Sequence, residues 1–202
     1  MAPVKVDPAR VREFTDQGGF YDWLAAHHDS EPELWIKMHK KASGLATISP
    51  AEAIDAALCW GWIDAIRKSF DDNSFLQRFT PRGPKSVWSQ INVDNVARLT
   101  KSGRMTEHGQ RHVEAAKADG RWDKAYRIKG SELPADLAAA IDAEPAARAT
   151  LATLDSRNRF ALAFRVENMK SAKGRAAKIA IFVDTLKRGE PIIPPEPPRK
   201  GK

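Results

Sequence analysis

The chain has 202 residues, 42% of them hydrophobic and 29% charged, values that exclude a fibrous or wholly disordered class and leave room for a sizeable core. Its single cysteine, Cys59, rules out an internal disulfide and any zinc site built from several thiolates. The formal net charge is +7, and residues 156–202, with 12 basic and 4 acidic side chains, carry more than that whole excess. Such a face can attract phosphates, anionic metabolites, nucleic acid or an acidic partner, or can simply keep the protein solvated. No run approaches the roughly 18 apolar residues of a membrane span, and the opening MAPVKVDPARVREF lacks a signal-peptide core. No membrane insertion and a cytoplasmic location are therefore expected.

In chain order, FYDWLAAHH (20–28) places Phe20, Trp23, Leu24 and His27 at helical spacing. ELWIKMHKK (33–41) alternates Leu34, Ile36 and Met38 with Trp35, Lys37 and His39, a strand with one wet face. Ser49-Pro50-Ala51-Glu52 predicts a helix start with a capping box, and Gly61 predicts where that helix stops. WIDAIRKSF (62–70) and SFLQRFTPR (74–82) flank Asp71-Asp72-Asn73, a hairpin with a three-residue loop. That loop puts Trp62, Asp64 and Ile66 opposite Arg82, Thr80 and Arg78 on one face, and Ile63, Ala65, Phe75 and Phe79 on the core face. Pro81 and Pro84 hold the following GPKSVWS extended.

Beyond it, Asn92 is the expected cap of a short helix, and Thr106 caps another over 107–118. From Leu133 the pattern is helical over 134–142, 146–153, 157–169 and 175–187. Ala176, Ile179, Ala180, Val183 and Leu186 form the inward stripe of the last helix. The fold class is α+β: a small antiparallel sheet packed with helices, followed by a helical C-terminal half. The expected boundaries are an α+β domain over 1–125, a helical region over 126–190 that either continues the same core or forms its own, and a disordered tail over 191–202, whose repeated prolines suit neither helix nor central strand.

The chemistry-bearing side chains concentrate in CWGWIDAIRKSFDDNSFLQRFTPRGPKSVWSQIN (59–92). Indoles stack on flat ligands, while Arg and Lys engage carboxylate or phosphate. The expected ligand site comprises Trp62, Asp64, Arg78, Thr80, Arg82, Lys85, Ser86 and Trp88, and takes an anionic small molecule. Asp64 is the candidate catalytic base, with Arg78, Arg82 or Lys85 stabilising negative charge. The competing structural reading makes the tryptophans core anchors and Asp64 the partner of an arginine.

His108 and His112 stand at i and i+4, a spacing that suits two metal ligands, but no third ligand or HExxH pattern accompanies them. They read as surface histidines, and neither a metal nor a cofactor is called for. Cys59 reads as a buried thiol. Arg157, Arg159, Arg165, Lys170, Lys173, Arg175 and Lys178 border a break at Ser171–Gly174 that suits a phosphate-recognising turn or nucleic acid. Helical phase scatters these charges, which favours a solvated surface. The oligomeric state is open.

ALCWGWID (57–64), QRFTPRGPKSVWSQIN (77–92) and RLTKSGRMTEHG (98–109) resemble signature blocks of the YdeI/OmpD-associated, or bacteriocin-protection, family. The resemblance extends through AAKADGRW (115–122) and, more weakly, through 158–190. It places the family's polar positions at Asp64, Gln77, Arg78, Thr80, Arg82, Lys85, Ser86, Trp88, Ser89 and Asn92. Ala172-Lys173-Gly174-Arg175 departs from the family's Pro-Glu-Thr-Arg run by replacing an acid with a base. The resemblance implies association with an outer-membrane porin or protection from bacteriocins, hence a stress or bacteriocin-tolerance role, and no particular reaction, cofactor or catalytic residue.

Overall fold

The computed structural model describes residues 4–127 and 132–194. The chain divides into two compact units, Met1–Ala125 and Tyr126–Lys202. The architecture is α+β. The first unit holds a four-stranded sheet in the order β1-β2-β4-β3, with β1 (Val11–Arg12) parallel to β2 (Leu34–His39), and β4 (Ser74–Pro81) antiparallel to both β2 and β3 (Trp62–Ser69). The helices of this unit are α1 (Gln17–His27), α2 (Pro50–Cys59), α3 (Gln90–Lys101) and α4 (Glu107–Ala118).

Local signals set most of these boundaries. Ser49 and Glu52 form both halves of the capping box ahead of α2, an arrangement that stabilises a helix start by about 1 kcal/mol. Gly61 takes φ +70° just past the end of α2, a conformation in which a side chain is strained. The chain can therefore turn at once into β3. Thr106 caps α4 as its sequence predicts. The cap of α3 is Ser89 rather than Asn92: the Ser89 hydroxyl accepts from the Asn92 backbone N–H, so the helix begins earlier than expected.

The hairpin exists, but its register changes along its length. Near the turn, Ser69, Lys68 and Arg67 face Phe75, Leu76 and Gln77, the pairing that a three-residue loop dictates. A bulge between Asp64 and Arg67 then shifts the register by one residue, so Asp64 lies opposite Phe79, Ile63 opposite Thr80 and Trp62 opposite Pro81. One extra residue in β3 re-sorts the faces. Trp62 and Phe79 pack with Leu34, Ile36 and Met38 from β2 and with Phe20 and Leu24 from α1 in the first apolar cluster. Ile63 and Ala65 are absent from that cluster, contrary to the expected core face. A second cluster joins Leu58 and Cys59 to Trp88, Val96, Leu99, Val113 and Ala116, and so fixes α3 and α4 to the end of α2.

The second unit contains α5 (Ala135–Asp142), α6 (Pro145–Thr153), α7 (Ser156–Glu167) and α8 (Ala172–Lys187). Its own apolar cluster comprises Leu137, Ile141, Ala147, Leu162, Val166, Phe182 and Leu186. Of the expected stripe on α8, Leu186 is buried and Ile179 and Val183 pack partly buried against this cluster, with Phe182 added to the inward set, whereas Ala176 and Ala180 are exposed along a surface groove. The expected break between the last two helices is present, a few residues earlier: α7 ends at Glu167, and Ser171 caps α8, its hydroxyl accepting from the Gly174 N–H. From residue 195 onward, the expected tail lies outside the described residues.

Candidate functional site

Two features of the α2–β3 turn bring α4 unusually close. A Cβ on Gly109 would lie 2.2 Å from the Cys59 carbonyl oxygen, so only glycine permits this approach. The Thr106 hydroxyl and backbone N–H both donate to that same carbonyl, at 2.5 and 3.2 Å. Gly61 meets α4 as well: a Cβ there would lie 2.3 Å from the His112 ring. Arg111 and His112 are thus held beside the chain that leaves β4.

Between them lies a pocket of about 410 Å³ lined by Arg82, Gly83, Pro84, Trp88, Arg111, His112, Ala115, Asp119 and Arg121. Its floor is an arginine on an indole. Arg82 is only 5% exposed, its guanidinium carbon lies 3.6 Å from the centre of the Trp88 ring, and Nη1 donates to the Val87 carbonyl at 3.3 Å. Trp88 packs in turn on Trp122, ring centres 4.9 Å apart. The Trp88 indole N–H is buried with no acceptor among the described residues. Arg121 is oriented by Asp119, which accepts from Nε at 2.9 and 2.8 Å, while Nη1 donates to the Ser86 carbonyl at 2.8 Å. Burial lowers the pKa of His112, and the positive charges of His108, Arg82, Arg111 and Arg121 lower it further. The wall is strongly cationic, and its one carboxylate is already engaged.

Of the residues expected from the sequence, Arg82 and Trp88 line this pocket. Ser86 contributes only its backbone contact to Arg121, and Lys85 is exposed and does not line the pocket. Trp62 is fully buried in the first core, where its indole N–H donates to the His28 carbonyl at 3.1 Å. Arg78 lies opposite Trp35 of β2, on the other face of the sheet from Phe79, and its guanidinium pairs with Glu33 at 2.5 Å. Thr80, opposite Ile63, shares the face of Arg78. The bulge is the reason: the expected common face of Asp64, Thr80 and Arg78 requires an unbroken ladder. Asp64 is partly buried, and desolvation raises its pKa against the opposing pull of Arg82 and Arg67, but it does not line the pocket.

Arg111, His112, Asp119 and Arg121 were not singled out as site residues in the sequence, except His112 through its spacing. They arrive from α4 and the turn after it, and no local pattern announces that α4 closes over the hairpin exit. Beside the pocket runs a row of imidazoles: His28 and His108 with ring centres 4.4 Å apart, then His108 and His112 at 5.3 Å. His28, Asp29 and His108 each offer a ligand atom within 4.8 Å of the others, a grouping suited to a metal ion.

Cys59 is fully buried, and burial pushes its thiol up to about 11, in keeping with an inert core cysteine. Several of the C-terminal basic side chains are occupied. Arg175 makes a bidentate pair with Asp136, Lys187 pairs with Glu144, and Arg159 donates to the Leu151 and Leu154 carbonyls. No helix among the described residues is long and apolar enough to cross a membrane.

Two family models match different stretches of the chain. Residues 12–112 match a domain of unknown function, DUF8412, and residues 131–189 match the model described as bacteriocin-protection, YdeI or OmpD-associated. The chain belongs to the DUF8412 family, and its C-terminal stretch carries the YdeI/OmpD-associated match. The YdeI/OmpD-associated match covers the C-terminal stretch, where the sequence resemblance was weaker. The central blocks around Asp64, Arg82 and Trp88 fall instead within the DUF8412 match. No curated protein and no solved structure matches the chain.

Proposed function

We propose that this protein of the DUF8412 family binds a small organic anion in the Arg82–Arg121 pocket. The observation that carries the reading is the convergence of Arg82, Arg111 and Arg121 with His112 around one opening whose only carboxylate, Asp119, already accepts from Arg121. A guanidinium cluster favours carboxylate or phosphate, and Trp88 in the lining, packed on a tilted Trp122, favours a ligand with a flat or apolar body. The volume lies at the small end of ordinary ligand sites. The proposed setting is a cytoplasmic stress or bacteriocin-tolerance role, of which the matched model's description supports the bacteriocin-protection part.

Binding is preferred to catalysis because Asp64, the candidate base, stands away from the pocket lining. Binding of nucleic acid by the C-terminal helices is less favoured because Arg175 and Lys187 already face carboxylates. Calorimetric titration with phenyl phosphate, benzoate and inorganic phosphate tests the proposal. The expected result is saturable binding of at least one of these anions, weakened tenfold or more by Arg111→Ala and by Arg121→Ala. No binding, or binding unchanged in both variants, overturns it.

A further inference from the structure

We propose that His28, Asp29 and His108 form a binding site for a divalent transition-metal ion of the zinc, cobalt or nickel kind. The inference goes beyond anion binding and does not depend on it, since none of the three residues lines the arginine pocket.

The hydrogen bonding of His28 gives the first argument. Its Nδ1 lies 2.9 Å from the Leu24 carbonyl oxygen, which can only accept, so Nδ1 carries the proton. Nε2 is then left with its lone pair, and it faces the Asp29 carboxylate at 3.1 Å. Two electron-pair donors at that distance require a cation between them, either a proton or a metal. A metal-binding histidine commonly donates its second ring N–H to a backbone carbonyl, which is the role Leu24 fills here.

The second argument is the spacing of the donors. His108 Nδ1 lies 3.5 Å from the other Asp29 oxygen, and the three ligand atoms fall within 4.8 Å of one another. Donors about 2.1 Å from a tetrahedral zinc ion stand roughly 3.4 Å apart, so small side-chain rotations bring all three into range. Two imidazoles and a carboxylate are a borderline donor set, suited to zinc-like ions rather than to magnesium or calcium.

The third argument is support. His28 sits at the end of α1, with its carbonyl held by the Trp62 indole and its ring against Trp60 at 4.6 Å. His108 rides on α4, which the Gly109 approach fixes against Cys59. Asp29 is exposed, which leaves a solvent-facing side for ion entry. The Arg111 guanidinium, 3.0 Å from His108 Nδ1, already presents positive charge there, and this exposed side chain swings aside when an ion takes its place.

The test uses the full chain stripped with a chelator, then titrated with Zn²⁺ by calorimetry and with Co²⁺ by visible absorption. One equivalent of each ion is expected to bind, with a tetrahedral Co²⁺ spectrum. His28→Ala, His108→Ala and the exposed-site variant Asp29→Ala each weaken binding tenfold or more, whereas Arg111→Ala tightens it. That last sign is opposite to the effect of Arg111→Ala on anion binding, so failure of one reading is distinguishable from failure of the other. Absence of stoichiometric binding to the wild type, or wild-type affinity retained in all three ligand variants, overturns the proposal. A His28 imidazolium that stays Nε2-protonated by NMR with Zn²⁺ in excess also overturns it.

Discussion

Substituting Gly109 by alanine sets two well-characterised effects against each other. In an unconstrained helix interior, Gly→Ala stabilises by about 1 kcal/mol through backbone entropy. Here the new Cβ would lie 2.2 Å from the Cys59 carbonyl oxygen and 2.7 Å from its carbon, both backbone atoms that cannot rotate away. An ordinary C···O contact is about 3.3 Å, so α4 must retreat by about 1 Å. Overpacking of this kind costs roughly 1–3 kcal/mol. The same retreat stretches the two Thr106 hydrogen bonds to Cys59, each contributing about 1 kcal/mol. The net expectation is a loss of about 1–3 kcal/mol, opposite in sign to the propensity effect. Urea unfolding followed by tryptophan fluorescence measures it. A Gly109→Ala variant as stable as the wild type, or more so, refutes the close-approach argument and with it the account of how Arg111 and His112 are positioned.

Two further outcomes follow from buried ionisable groups. Asp64 is raised in the folded state by desolvation, so folding favours its protonated form. The stability difference is in its favour below the unfolded carboxylate range and is lost as pH rises through the folded pKa. Asp64→Asn should therefore raise the melting temperature at pH 7, with the gain disappearing towards pH 3; a gain that grows on acidification contradicts this. Cys59, with its thiol pushed up from 9.0 to about 11, should react with a disulfide reagent at pH 8 about a hundredfold more slowly than a free thiol. Full reactivity should return in denaturant, and rapid labelling of the native chain would place the thiol at the surface.

Signals that act over a few residues were legible in the sequence. The Ser49 capping box, the Gly61 stop, the Thr106 cap and the turn-side register of the hairpin all depend on neighbours in the chain. The bulge after Asp64 was not legible, because no glycine or proline marks it and Ala65-Ile66 reads as ordinary strand. That single residue turns Trp62 and Asp64 away from the face of Arg78 and Thr80 and keeps Trp62 in the core. The pocket wall on α4 was equally hidden. His28 and His108 meet although they stand 80 positions apart in the chain, and what allows the meeting is the absence of a side chain at Gly109, a fact about three-dimensional clearance rather than pattern.

The buried cluster of the second unit draws all its members from the chain between Leu137 and Leu186. A region that completes its own interior carries its folding instructions with it. Its apolar interior is assembled from one uninterrupted stretch of chain, as a separable unit requires. The two family matches, on either side of Ala125, are the kind of mosaic that this independence permits.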